Sequence, residues 1–481
     1  MSEKSLKKNS LYNIIYSVAN ILFPLITSIY VARVLFTDGI GRVAYGQNIA
    51  SYFLILASLG LPTYGVREIA KVRGSREGTN KVFSALFVIN SCSTTIASVA
   101  YIVLVLSVLK FRSDHTLFLC CGLQIIMNYF NIDWFYQGQE EYRYITIRSI
   151  LVKLLCFLAV LIFVREIEDY VIYAFISSLA ITLNNVFNII HVRKFVKLEF
   201  KKLELKRHFT PLLVLALSVF LSSAYSKIDV TMLGSMTTDT ATGLYNNAHK
   251  IVEVIITVCT AVSAVFLPRL SYYYEHDREE FGELIEKGIK VLSFITFPIC
   301  IGLFVLAPQM MKILYGNSFV PGSLTVRIFA VLIIIKSFGN LLCYQLIVAT
   351  GNEKKRLPAY LAAAILNIIF NAFLIPGMHQ NGAAIASVIS EFVVNTIQLF
   401  AISKIIHISV PGKSMFQGII TTAIMGAVVF VISQWNINFY VQTIGAVVVG
   451  AIVYFALNIV IKNEMALMGF NMIKTKIRRI K

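Results

Sequence analysis

The sequence predicts an all-α integral membrane protein of about fourteen transmembrane helices, and three observations carry that expectation. Apolar residues make up 57% of the 481 positions and charged residues only 14%, against roughly 25% charged in ordinary soluble domains. The mean hydropathy is +0.74, so lipid is the solvent for most of the chain. The apolar runs are about twenty residues long and do not alternate in the ten-residue pattern of a barrel strand. Helices therefore satisfy the backbone hydrogen bonds inside the bilayer.

The runs fall at about 11–35, 43–62, 83–108, 116–137, 148–164, 170–191, 210–233, 243–268, 288–307, 324–349, 358–376, 382–406, 414–434 and 440–461. Basic residues test this threading. With the N-terminus inside, the inner segments and the span ends adjoining them hold 32 of the 43 Lys and Arg, and the outer loops hold 5. Such alternation is the positive-inside pattern. It explains the net charge of +18 without a nucleic-acid partner, because no basic stripe or soluble basic domain gathers the charge. Both termini are expected to be cytoplasmic. The chain divides into an N-terminal lobe, 1–208 (spans one to six), a C-terminal lobe, 209–407 (spans seven to twelve), and 408–481, which holds spans thirteen and fourteen and a basic cytoplasmic tail.

Weak internal repetition agrees with two lobes. Gly138, Gln139, Glu140 and Arg143 match Gly351, Asn352, Glu353 and Arg356 at an offset of 213. Tyr45-Gly-Gln-Asn and Tyr245-Asn-Asn-Ala recur at an offset of 200. Both pairs lie six spans apart, so the lobes share orientation and form a parallel repeat about an axis along the membrane normal. The loop joining them, 191–209, carries Arg193, Lys194, Lys197, Lys201, Lys202, Lys206 and Arg207. Such a cluster serves equally as a solvated topogenic loop or as an attractor of anionic headgroups.

Polar residues inside spans cost about 2.5–3.5 kcal/mol each when charged and central, so their placement is informative. Span eight carries Asn246, Lys250, Glu253, Thr257 and Thr260 on one helical face. Span seven carries Ser218, Ser222, Tyr225 and Asp229, and span twelve carries Ser387, Glu391, Asn395 and Gln398. Asn367 and Asn371 add to these in span eleven, as do Gln47, Ser51 and Ser58 in span two. Faces of this kind either line a shared hydrated cavity or hydrogen-bond one helix to another. In span ten Lys336 lies near mid-membrane with Asn340 one turn on, whereas Arg327 lies near the outer end, where it can snorkel. Lys336 is thus the candidate cation of that span. Asp133 and Lys153, nearer the inner surface, read as interfacial charges.

No catalytic constellation emerges, and neither a metal nor a cofactor is expected. The seven cysteines lie in apolar runs without metal spacing. Pro411-Gly-Lys-Ser414 ends like a phosphate-binding loop, but His407 stands where that motif needs its first glycine.

Several motifs in order carry a family resemblance: Ala32-Arg-Val-Leu35, Gly41-Arg-Val-Ala-Tyr-Gly46, Leu59-Gly-Leu61, Arg67-Glu-Ile-Ala70, Asp229-Val-Thr-Met-Leu-Gly234, Leu314-Tyr-Gly316, and Gly382-Ala-Ala-Ile-Ala-Ser387 followed by Glu391. Together they resemble Wzx-type polysaccharide flippases, of the multidrug/oligosaccharidyl-lipid/polysaccharide exporter superfamily. The resemblance implies two six-helix lobes around a cavity. It also implies a substrate, an undecaprenyl-diphosphate-linked oligosaccharide turned from the inner to the outer leaflet for capsule, O-antigen or exopolysaccharide assembly. Membrane lipids and a polysaccharide polymerase or other assembly proteins are the implied partners. Arg33 falls at the family-like arginine position, while Phe36 stands where many relatives have glycine.

A diphosphate headgroup cannot cross hydrocarbon unaided, since burying an isolated charge costs tens of kcal/mol by Born estimates. Lys250, Lys336 and Arg33, with Asn246 and Asn340, are therefore the candidate headgroup contacts. Asp229, Glu253 and Glu391 are the candidate ion-coupling carboxylates. Two alternatives share the fold: a peptidoglycan-precursor flippase and a cation-coupled multidrug exporter, the latter typically with twelve spans. A membrane-embedded glycosyltransferase would need a catalytic acid and usually a large outer loop, and the outer loops here are short.

Overall fold

A computed structural model of the chain describes residues 6–200, 203–436 and 438–478. Regular structure among the described residues is entirely helical. Among the described residues, eleven helices are long and apolar enough to cross a membrane, and His115–Phe130 is a shorter apolar stretch. The all-α membrane class expected from composition is therefore correct.

Two of the long helices contain a break. Leu6–Ser58 is interrupted at Phe36, with φ 52° and ψ −165°, and Arg356–Ser403 at His379, with φ 46° and ψ −126°. Each holds two of the runs that the sequence separates by a loop. A single residue with positive φ is enough to end one helical segment and begin another, so neither loop is needed.

The chain forms two compact units, Met1–Gly243 and Leu244–Lys481. Helix Leu205–Met236 packs within the first unit along Leu6–Ser58. Polar side chains fasten that contact. The Asn48 amide donates to the Lys227 carbonyl at 3.1 Å and to Thr231 Oγ1 at 2.7 Å, and the Tyr52 hydroxyl lies 3.0 Å from Thr231 Oγ1. Hydrogen bonds of this kind are the usual adhesive where apolar surface gives no preference for protein over lipid.

Two glycines set the closest backbone approach in the first unit. A Cβ on Gly41 would sit 1.8 Å from the Asp239 carbonyl oxygen, and one on Gly243 would sit 2.0 Å from that of Thr37. Asp38 accepts from the Thr240 hydroxyl at 2.5 Å beside this crossing, and Arg42 pairs with Asp239 at 3.3 Å.

The second unit packs Arg278–Val305 against Ser323–Gly339 and Gly412–Ser433, with Gly412–Ser433 paired to Phe439–Val460. Lys290 bridges Glu286 at 3.0 Å and Glu464 at 2.9 Å, tying the C-terminal helix to the bundle.

Candidate functional site

The second unit gathers three of the charged residues singled out in the sequence. Lys336 on Ser323–Gly339 lies 3.4 Å from Glu391 on Arg356–Ser403 and 3.8 Å from Glu253 on Asp239–Ala264. His249, one turn before Glu253, lies 3.8 Å from the same carboxylate. The Lys336 side chain is 26% exposed and that of Glu391 19%. Two carboxylates thus stand beside the Lys336 ammonium and offset part of the cost of burying its charge.

The surrounding residues hold this cluster in place. The His249 ring packs edge-on against Phe329 at 5.4 Å and stacks on Tyr245, whose hydroxyl lies 3.1 Å from Ser387 Oγ. Asn340 accepts from Ser263 at 2.8 Å and from Gln345 at 2.9 Å, across a wide π-type turn over Asn340–Gln345. Gly339 leaves room for Asn395, whose amide donates to the Ile335 carbonyl at 3.2 Å. A Cβ at 339 would stand 2.0 Å from the Asn395 side-chain oxygen.

Lys250 is half-buried and has no hydrogen bond or ion pair among the described residues. The pair it could have formed with Glu253 at i,i+3 is absent, since Glu253 turns to His249 and Lys336. Among the described residues Asn246 donates a long 3.4 Å contact to Asn247. Thr257 and Thr260 bond back to the carbonyls of Glu253 and Ile256 on their own helix. In span eleven Asn371 donates to Asn367 at 3.0 Å, and both are buried. Those asparagines bond to each other within one helix.

Arg33 and Asp229 belong to the first unit. Arg33 is exposed, three residues before the break at Phe36, and Asp229 is buried. The Ser218 side chain, part of the same stripe as Asp229, lies outside the described residues, as do Lys201 and Lys202. Arg327 donates to the Phe304 carbonyl at 3.1 Å.

Sequence reasoning missed a second ionic network. Asp133, which reads in sequence as an interfacial charge, pairs with Arg148 at 2.8 Å and accepts from Asn188 at 2.7 Å, while Arg148 also donates to Asn184 at 3.1 Å. The Arg148 side chain is 6% exposed and that of Asp133 25%, so the arginine is buried and its carboxylate partner partly so. His249 was missed as well, although its four-residue spacing from Glu253 placed it on the same face.

This is the architecture of a multi-pass helical membrane protein. Its fold is similar to that of the lipid II flippase MurJ in an inward closed conformation, with a TM-score of 0.77 at 16% identity, covering 95% of this chain and 99% of that one. The chain belongs to the polysaccharide biosynthesis protein family, whose model matches residues 6–274, and the MatE family model matches residues 215–373. A protein of Escherichia coli K12, provisionally named an O-antigen transporter, is 23% identical over 398 residues, 82% of this chain and 96% of that protein. The capsular polysaccharide biosynthesis protein CapF of Staphylococcus aureus is 22% identical over 409 residues, 80% of this chain and 96% of that one. The resemblance to Wzx-type flippases read from the motifs is thereby borne out.

Proposed function

We propose that this protein is a flippase. It moves an undecaprenyl-diphosphate-linked oligosaccharide from the inner to the outer leaflet of the bacterial plasma membrane by alternating access, for O-antigen, capsule or exopolysaccharide assembly. Family membership carries this reading, and the Lys336 cluster supplies its chemistry. The polyprenyl tail already favours lipid by about 0.8 kcal/mol per CH₂, so only the headgroup needs enclosure. Counting each broken helix as two crossings and adding His115–Phe130 supports fourteen spans, with both termini cytoplasmic.

In this reading Lys250 makes the first contact with the diphosphate, because no carboxylate holds it. Lys336 follows by exchanging Glu253 and Glu391 for phosphate oxygens. Two carboxylates and a diphosphate compete for one ammonium, so neutralising either Glu by a proton or a cation favours headgroup binding, and the converse holds by linkage. Asn246 and Asn340 are further headgroup contacts in this scheme, Arg33 serves substrate handling, and Asp229 is a further coupling carboxylate.

The test is complementation of a strain lacking its own polysaccharide flippase, with protein level in the membrane followed in parallel. Lys336→Gln and Lys250→Gln are expected to lower export at least tenfold. Lys→Arg at either position retains part of it, since arginine keeps the charge. Full export by the double Lys→Gln variant at normal abundance would remove both lysines from the headgroup site. If the parent chain rescued a strain lacking its peptidoglycan-precursor flippase but not polysaccharide export, the substrate assignment would pass to that precursor.

A further inference from the structure

Away from that cluster, on the first unit, helices Tyr142–Phe163 and Tyr170–Val192 border a groove of about 680 Å³. Its two ends differ in chemistry. At one end stand Arg143 and Lys194, both exposed and without an ion pair among the described residues, against one carboxylate, Glu141. Arg148 and His191 also line the groove, and Arg148 Nη1 and His191 Nδ1 are buried atoms with no hydrogen-bond partner. The other end is a wall of Ile147, Leu151 and Leu155, spaced four residues apart and so on one helical face. These three are 45%, 54% and 58% exposed, and over eight residues they rise about 12 Å along the helix.

Two contacts hold the aromatic side chains of the groove. The His191 ring stacks on Tyr144 at 4.1 Å, and the Tyr144 hydroxyl donates to the Phe187 carbonyl at 3.1 Å. Asp133 pairs with Arg148 at 2.8 Å, so the remaining charge of the groove is that of Arg143 and Lys194 against Glu141, a net positive one. A basic mouth opening onto an apolar strip matches a molecule with an anionic head and a hydrocarbon tail.

We infer that this groove holds one anionic phospholipid, its phosphate between Arg143 and Lys194 and an acyl chain along Ile147, Leu151 and Leu155. The inference goes beyond the flippase reading, because it concerns a resident lipid on the outside of one unit and not the transported substrate. It also separates the basic residues after position 191 by role. Lys194 clamps a headgroup, while Arg193 and Lys197 do not line the groove.

The experiment is native mass spectrometry of the full chain, stripped of lipid in neutral detergent and titrated with phosphatidylglycerol. One adduct is expected to saturate first, and phosphatidylcholine is expected to bind at least tenfold more weakly. Arg143→Gln with Lys194→Gln weakens that adduct about tenfold or more, as two near-surface basic residues warrant. Leu151→Trp fills the wall without altering charge and weakens it too, whereas Arg193→Gln with Lys197→Gln leaves it unchanged. Soluble glycerol 3-phosphate at matched concentration does not displace the lipid. Equal loss in the Arg193/Lys197 variant, parental binding by Leu151→Trp, or equal uptake of phosphatidylcholine would each overturn the site. Export is not read in this measurement, so its failure leaves the flippase reading untouched.

Discussion

At Phe36 the backbone takes φ 52° and ψ −165°, a region that L side chains enter at a cost of about 1–3 kcal/mol and that glycine enters freely. The resemblance to Wzx-type flippases implies glycine at this position, and such a backbone geometry suits it. A direct Phe36→Gly change would mix strain relief with loss of a half-exposed ring, two terms of similar size and opposite sign. Comparing Phe36→Gly with Phe36→Ala removes the ring from both and isolates the backbone. Inside a regular helix alanine is the better residue by about 1 kcal/mol. Here the order is expected to invert, with glycine the more stable by about 1 kcal/mol, read as a higher thermal midpoint in detergent. Alanine matching or exceeding glycine would mean that the backbone at 36 is helical. The candidate-site residues were legible for a related reason: a charge in an apolar run is conspicuous, and its cost demands a partner. Periodicity alone could not name the partner. Lys336 meets Glu253 and Glu391 from two other helices, and the nearest carboxylate in sequence to Lys250 proved to be engaged elsewhere.

Helices show the same division between what a one-dimensional pattern holds and what packing adds. Their existence follows from run length and hydropathy, but the fusion of two runs through Phe36 or His379 depends on one residue's φ. Likewise Asp133 looks interfacial in sequence and pairs with the buried Arg148 only when the helices bearing them pack. Gly41 stood out within a motif, yet its purpose appears only at the crossing with the start of helix Asp239–Ala264. There the two backbones approach so closely that a methyl on Gly243 would meet the Thr37 carbonyl oxygen at 2.0 Å. No side chain can yield at that contact, because the obstacle is main chain. Gly243→Ala is therefore expected to force the helices apart and to cost about 1–3 kcal/mol, the range for overpacking. Gly445, around which nothing lies within 4 Å, is the control, and its alanine variant is expected to be at least as stable as the parent. Equal melting of the two variants would show that the crossing is looser than described.

For the whole molecule, the fold class was the most legible feature, because lipid as solvent constrains every residue and composition averages over them all. Orientation is legible through a different force, the bias of basic residues towards the cytoplasmic side. That bias is a sum over many loops and does not depend on any single contact. With 32 basic residues assigned inside and 5 outside, one missed or extra crossing would invert every later loop and mix the two populations. The expectation can be tested residue by residue. All seven native cysteines are free and only Cys92 is exposed, so a cysteine-free background is a reasonable starting point. Into it go single cysteines at Ser2, Lys354 and Asn436, of which Lys354 and Asn436 are exposed. In intact cells a membrane-impermeant maleimide is expected to label Asn436→Cys alone, and all three after permeabilisation. Labelling at residue 354 without permeabilisation would place the Glu353–Arg356 turn outside and require an odd number of crossings fewer or more before it. Labelling at residue 2 alone would invert the N-terminus while leaving the later threading to be recounted from the other two sites.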